Sequence, residues 1–256
     1  MSNNSLLTLS IVSHRHGHLI HGLLDDLQQL CKVDIEVILT LNLAETLPFD
    51  CDAYDFPIQL IFNAQPKGFG ANHNAAFQLR KGRWFCVLNP DIRLRTDPFP
   101  SLLECVQDGH VAVAAPVVVD RHGNIEDNAR RLPSPLSIIK KAFQHNFRPD
   151  YKLAGRTIMP DWVAGMFMLF SSDSFEQIGG FNEKYHLYYE DVDICTRLNL
   201  KGFKIVLCPG VTAIHDARRE SHRNINHFLS HLRSFIRFFL SPVYLNALIS
   251  NLNSKK

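Results

Sequence analysis

Short apolar runs rich in β-branched residues alternate with segments of helical period through the first half of the chain, and this alternation limits the fold more than any other feature. Leu6–Val12, Ile35–Leu41, Ile58–Phe62, Arg83–Leu88 and Val111–Val119 read as strands. Between them, His18–Leu30 carries apolar residues at Leu19/Ile20, Leu23/Leu24, Leu27 and Leu30, a helical spacing. Further helices are predicted from Gly68–Gly70 through Leu79 and near Pro98–Val106. Strands that are nearly continuous in apolar residues have no solvent face, so helices must cover both sides of a mainly parallel sheet. In open sheets of this kind ligands sit beyond the carboxyl ends of the strands. The segments leaving those ends, Ser13–His18, Thr40–Asn42, Asn63–Asn74 and Asn89–Asp91, should therefore surround one crevice.

The second half is less regular. Residues 121–160 are polar, contain Pro133, Pro135, Pro149 and Pro160, and read as a mobile excursion with one short helix near Ser137–Gln144. Order returns with a strand over Trp162–Phe170, a helix near Ser172–Ile178 stopped by Gly179-Gly180, a helix over Glu190–Lys201 and a strand over Phe203–Cys208. Ile225–Leu240 is amphipathic. Ile225, Phe228, Leu229, Leu232, Phe235, Ile236 and Phe239 form one stripe, opposite Asn224, His227, His231 and Arg237. Such a helix either packs on the domain or lies on anionic lipid, and both hold if the domain covers only part of the stripe. The expected division is a domain over 1–221, with halves 1–120 and 161–221 around the excursion, and a helical extension over 222–256.

The net charge of +2 is too balanced for a dedicated nucleic-acid binder. It hides an asymmetry: from Lys201 onward nine Lys/Arg face two Asp/Glu, net +7. An anionic partner is therefore sought at that end. The six cysteines are scattered without metal spacing and read as free thiols in a reducing compartment. The N-terminus lacks the charged-then-apolar pattern of a signal peptide. No apolar run approaches the roughly 18 residues that span a bilayer. The expected location is cytoplasmic, peripheral at the inner face of the plasma membrane.

Three constellations carry possible chemistry. Lys67-Gly68-Phe69-Gly70-Ala71-Asn72-His73-Asn74 follows a strand and opens a helix, where free N–H groups and bare glycine backbone suit an anion or polar ring. It lacks the later glycines of a dinucleotide fingerprint, and a plain tight turn remains open. Asn89-Pro90-Asp91 ends a strand with a carboxylate that can ligate Mg2+ or Mn2+, or is simply a turn. Tyr188-Tyr189-Glu190-Asp191-Val192-Asp193 opens a helix, where three acids suit the dipole as caps. Helical geometry separates them. Asp193 precedes Arg197 by four residues and is expected to form an ordinary surface pair. Asp191 shares its face with Ile194, Cys195 and Leu198 and points inward, which makes it the general-base candidate. His215 is expected on a loop after Pro209, and His14, His16, His18 and His21 read as polar residues of a loop and helix start.

In this order and spacing the motifs resemble the family 2 glycosyltransferases of the GT-A fold, in particular bacterial rhamnosyltransferases of O-antigen and other surface polysaccharides. The matching stretches are Ser10-Ile11-Val12-Ser13, Asn63 with Gly68–Asn74, Leu88-Asn89-Pro90-Asp91, Arg130-Arg131-Leu132-Pro133-Ser134, Trp162-Val163-Ala164-Gly165, Gly179–Glu183, Tyr189–Asp193 with Cys195 and Arg197, and Pro209 through His215. The resemblance implies an inverting, metal-dependent enzyme that uses a nucleotide-diphospho-sugar donor, dTDP-rhamnose in that group. The acceptor is a saccharide or lipid-linked saccharide. It implies Asp191 as catalytic base and Asp91, with His215, as ligands of Mg2+ or Mn2+. Ser13, Asn42, Gly68, Asn74 and Asn89 fall at the donor crevice, Trp162, Gly165 and Glu190 near the acceptor. Arg218 and Arg219 are placed to clamp a diphosphate. Many relatives carry an acidic residue after the second strand, where this chain reads Thr40-Leu41-Asn42. A sugar-nucleotide pyrophosphorylase or a non-catalytic glycan-binding relative are the rival readings.

Overall fold

Buried alternation and helix packing build an eight-stranded sheet with two layers of helices. The computed structural model describes residues 6–138, 149–152, 155–215 and 225–253. Its strands are β1 (Leu7–Ser13), β2 (Ile35–Leu41), β3 (Ile58–Phe62), β4 (Trp84–Leu88), β5 (Ile92–Arg93), β6 (Val111–Val119), β7 (Ala129–Arg130), β8 (Trp162–Val163), β9 (Phe167–Ser171) and β10 (Lys204–His215). The helices are α1 (Gly17–Leu30), α2 (Phe69–Leu79), α3 (Phe99–Gln107), α4 (Ser172–Gln177), α5 (Glu190–Leu200), α6 (Ile225–Phe239) and α7 (Pro242–Asn253). The main sheet has the order β3-β2-β1-β4-β9-β6-β10-β5. Only β9 and β5 run against the rest, which matches the mainly parallel α/β sheet that the alternating pattern predicts.

Every residue of β1, β2 and β4 is buried, as strands covered on both faces must be. One layer joins Leu7, Leu9 and Ile11 to Leu23 and Leu27 of α1 and Leu102 of α3. The other centres on Phe85, Phe170, Phe175, Phe181, Ile194 and Phe238. On that second face β1 buries polar groups: Thr8 donates to Glu36 at 2.6 Å, and Ser10 pairs with His73 of α2 at 2.7 Å. Burial pushes the His73 imidazole down to about 3, so it is neutral there.

Two expectations need correction. Trp162–Phe170 is two strands: β8 pairs with β7 in a small second sheet, whereas β9 enters the main sheet antiparallel between β4 and β6. Residues 164–166, the step between them, form a turn at the carboxyl end of β4, where Met166 O accepts from Asn89 N. His215 is at the end of a strand and not on a loop. Pro209 has no N–H to offer, so the β10–β6 ladder breaks between Cys208 and Thr212 and then resumes. The resumed portion pairs His215 with Ile92 across an antiparallel bridge, next to Asp91. Residues 135–138 are helical, and the rest of the helix expected near Ser137–Gln144 lies outside the described residues.

The C-terminal stripe is shared between domain and solvent. Ser234 and Phe238 are buried, Phe235 and Phe239 half-buried, and Phe228, Leu229, Leu232, Ile236 and Leu240 exposed. Helix α7, within the helical extension expected over 222–256 but beyond the amphipathic stripe, opens at Pro242 with Tyr244 N donating to the Ser241 hydroxyl at 3.1 Å. It buries Tyr244 and Ala247 and packs on α5.

Candidate active site

Asp91 leaves β4 through a turn in which Ile92 N donates to Asn89 O. One carboxylate oxygen, Oδ2, lies 3.2 Å from Nε2 of His215. Nδ1 of His215 lies 2.8 Å from Oε2 of Glu126, so the imidazole sits between two acids. Burial disfavours the imidazolium, but the bonds and charges of Asp91 and Glu126 outweigh it and raise the His215 pKa. The other oxygen of Asp91, Oδ1, is buried with no hydrogen-bond partner among the described residues.

That orphan oxygen is the test of fit for a divalent ion. Mg2+ and Mn2+ prefer oxygen and commonly take one or two carboxylates, completing their shell with phosphates and water. Among the described residues no set of three or more ligand side chains converges on one point. Asp91, His215 and Glu126 are linked in a row. The residues therefore fit an ion shared with a bound diphosphate and not one enclosed by protein alone.

Asp191 occupies the second position of α5, and the turn before it is strained. Tyr188 and Tyr189 have φ of 71° and 68°, a left-handed conformation that large side chains rarely adopt. Their surroundings hold them. Tyr189 packs at 5.5 Å from Phe238, His231 lies 5.1 Å from Tyr188, and the Ser234 hydroxyl donates to Leu187 O at 2.9 Å. The result is a carboxylate aimed at the 164–166 step. Oδ2 accepts from Gly165 N at 3.1 Å and Oδ1 from Val192 N at 2.8 Å. Burial raises the Asp191 pKa, opposed by those two N–H groups and by the Arg130 charge. Glu190 beside it is buried, with Oε2 unpartnered, and its pKa is raised by burial and then by Asp191. The two adjacent acids resist carrying two charges together.

Consecutive residues connect the two acidic positions. Gly165 N reaches Asp191, while Met166 O accepts from Asn89 N at 2.9 Å, the residue two before Asp91. Trp162 is buried, donates to Arg131 O at 2.9 Å and lies under the Arg130 guanidinium at 5.3 Å. The half-buried Gly165 is held close: a Cβ there would meet the Phe69 ring at 3.1 Å.

The other donor-side candidates are engaged within the protein. Asn42 spends both ends of its amide, bonding His14 and Lys67 O through Nδ2 and accepting from Asn63 and Lys67 N through Oδ1. Ser13 is buried and donates to Glu45, which also accepts from Arg15 N and Gly17 N and so anchors the start of α1. Asn74 ties α2 to Phe181 and Glu183. Gly68 is required by a close backbone approach, since a Cβ would lie 2.7 Å from His186 O. Gly68→Ala is accordingly expected to displace the 186–189 turn and cost about 1–3 kcal/mol, read as a fall in Tm. Arg218 and Arg219 lie outside the described residues. A cleft of about 400 Å³ opens between α2 and the 175–183 segment, and neither Asp91 nor Asp191 lines it.

Sequence reasoning passed over Glu45, Glu126 and Arg130 as site residues. Glu45 is an acid after β2, three residues beyond the point inspected. Arg130 belongs to the Arg130–Ser134 motif but nothing local marks it as facing Asp191. Asp193 is not a surface pair: its side chain is 0% exposed and it accepts from Arg197 Nε at 2.7 Å inside the protein.

Comparisons with known proteins give the fold and the family. Rhamnosyltransferase WbbL of Escherichia coli is 29% identical over 184 residues, 67% of this chain and 69% of that protein. The N-acetylglucosaminyl-diphospho-decaprenol L-rhamnosyltransferase of Mycobacterium tuberculosis is 27% identical over 168 residues, 59% of this chain and 53% of its own. Among solved structures, GalNAc-T7 with UDP, GalNAc and Mn2+ matches with a TM-score of 0.70 at 14% identity, covering 93% of this chain and 48% of that one. The mannosyltransferase PcManGT of Pyrobaculum calidifontis with GDP-Man and Mn2+ matches at 0.64 and 16%, covering 95% and 69%. The chain thus spans about half the length of the mycobacterial relative and of GalNAc-T7. These structural likenesses establish the GT-A fold. The sequence pattern of glycosyltransferase-like family 2 matches residues 28–231, most of the sheet and both acidic turns, and the chain belongs to that family.

Proposed function

We propose that this chain transfers a sugar, with inversion, from a nucleotide-diphospho-sugar to a hydroxyl of a saccharide or lipid-linked saccharide. The observation that carries the reading is the link from Asp191 through Gly165 and Met166 to the Asp91 turn, which ties together the two carboxylates proposed as base and cation ligand. Rhamnose, from dTDP-rhamnose, is the proposed sugar, supported by the names of the bacterial relatives. The transferase unit is taken as residues 1–221 and the extension as 222–256. The proposed setting is the cytoplasmic face of a membrane. No single helix among the described residues is long and apolar enough to cross one.

Asp191 in its ionised form accepts the proton of the acceptor hydroxyl as that oxygen attacks the anomeric carbon. The bond from that carbon to the diphosphate oxygen breaks on the opposite face, and the nucleoside diphosphate leaves. Gly165 N and Val192 N orient the carboxylate so that its basic lone pairs keep one direction. Glu190, buried and unpartnered at Oε2, is available to accept or donate to an acceptor hydroxyl. Mg2+ or Mn2+ would be held by Asp91 with His215 and supplies charge neutralisation to the leaving diphosphate when bound.

The test is nucleotide release from a panel of sugar nucleotides with Mn2+, with and without acceptor. Acceptor-dependent release supports transfer. Pyrophosphate-dependent formation of nucleoside triphosphate identifies a pyrophosphorylase instead, and binding without release a non-catalytic relative. Ion binding is checked separately by thermal shift. Nucleoside diphosphate plus Mn2+ at about 100 Kd stabilises by about 2.7 kcal/mol, a rise in Tm on the order of 5–10 °C. Asp91→Asn is expected to abolish the part of that rise that depends on Mn2+.

A further inference from the structure

The exposed half of the C-terminal stripe has no partner within the described chain. At about 100° per residue, Phe228, Leu232 and Ile236 of α6 and Leu240 just past its end fall on one arc of about 120°. Leu245 and Ile249 of α7 extend exposed apolar surface past the bend. Phe228 is 66% exposed and Leu240 76%, and with their neighbours on the arc they form a contiguous apolar patch of the kind that marks an interaction surface. Arg233 and Arg237 flank the arc, both exposed. From Ser221 to the last residue the sequence has five Lys/Arg and no Asp or Glu, so what covers this face carries negative charge.

We propose that α6 and α7 lie in the headgroup region of an anionic lipid bilayer, with the apolar arc toward the acyl chains. The geometry favours lying along the surface over crossing it. The two helices reach membrane-spanning length only together, and they bend by 53° at the break between them. An amphipathic helix with a basic flank and a broad apolar face binds in the interfacial plane by apolar burial and by attraction to anionic headgroups. The opposite side of α6 grips the strained turn before Asp191, through Ser234 on Leu187 O and Phe238 against Tyr189. The bilayer therefore lies beside the edge of the active site that bears the base. A lipid-linked acceptor would arrive there from the membrane, a consequence that rests on the function proposed above.

Co-sedimentation of the full chain with vesicles tests this. Binding is expected to vesicles of phosphatidylcholine with phosphatidylglycerol, to fall with added salt, and to be weak on phosphatidylcholine alone. Leu232→Asp and Ile236→Asp should each lower partitioning by about tenfold or more with Tm unchanged. Absence of binding overturns the proposal, as does binding that resists alkaline extraction, which identifies a spanning element. A dimer in lipid-free solution that these substitutions dissolve overturns it too, since a second copy would then cover the face. Vesicle binding needs no sugar nucleotide. A chain that binds vesicles but transfers no sugar removes only the functional proposal, and an active chain that ignores vesicles removes only this one.

Discussion

Asp191→Asn is expected to lower sugar transfer by about 10²–10⁴-fold, the usual contribution of a positioned general base, with nucleotide binding nearly unchanged. Asparagine keeps the shape and can still accept from Gly165 N, so the turn should survive while the basic lone pair is lost. Full activity in this variant would remove Asp191 from the mechanism. Acid sensitivity gives a second reading. Burial raises the Asp191 pKa above its usual 3.8, so the base should be lost on acidification at a higher pH than an exposed aspartate would be. Stability runs in the opposite direction. A carboxyl that ionises more easily in the unfolded chain weakens the fold as pH rises from its unfolded value through its folded one. Asp191→Asn should therefore match the wild type in Tm near pH 4 and exceed it increasingly towards neutral pH. Melting both proteins across that range checks the sign, and an unchanged gap would mean that the carboxyl carries no burial cost.

Arg197→Ala is expected to be the most destabilising single change near the site. The Arg197 guanidinium bonds Asp193 through Nε, Ile178 O at 2.8 Å and Gly180 O at 2.7 Å. It thereby locks the Gly179–Gly180 turn, both of whose residues have positive φ, to the first turn of α5. Removing it leaves Asp193 buried without its only ion-pair partner among the described residues, a loss of about 3–5 kcal/mol. In a chain of this length that is a fall in Tm on the order of 10 °C. The double variant Asp193→Leu/Arg197→Met should recover much of it, because a buried pair can be replaced by apolar groups at little net cost. A drop of under about 1 kcal/mol for Arg197→Ala would show that the pair behaves as an exposed one.

The difference between Asp191 and Asp193 shows how far local pattern reaches. Neighbours three and four residues away correctly turn Asp191 toward the apolar side of α5. The same rule pairs Asp193 with Arg197, and that pairing is present. What the rule does not contain is the cover: Asn182, Tyr185 and the 178–180 turn surround the pair, and those residues come from another stretch of chain. His215 shows the same limit. Its role rests on the interruption at Pro209, after which β10 resumes its ladder and sets His215 against Ile92, and this register is a long-range pairing that no window of sequence displays. Glu126 then meets His215 from a hairpin whose polar sequence reads as loose excursion.

By itself the sequence determined the alternating α/β order, the mainly parallel sheet and the acid-bearing first turn of α5. Periodicity and turn chemistry are written in neighbouring residues, so each of these is locally encoded. Tertiary structure alone decided that β9 enters antiparallel, that Asn42 and Ser13 are occupied within the protein, and that α6 clamps the Tyr188–Tyr189 turn with one side while leaving the other bare. A helix's pattern states which of its faces avoid water, but only the neighbours that fold against it decide which of those faces remain uncovered.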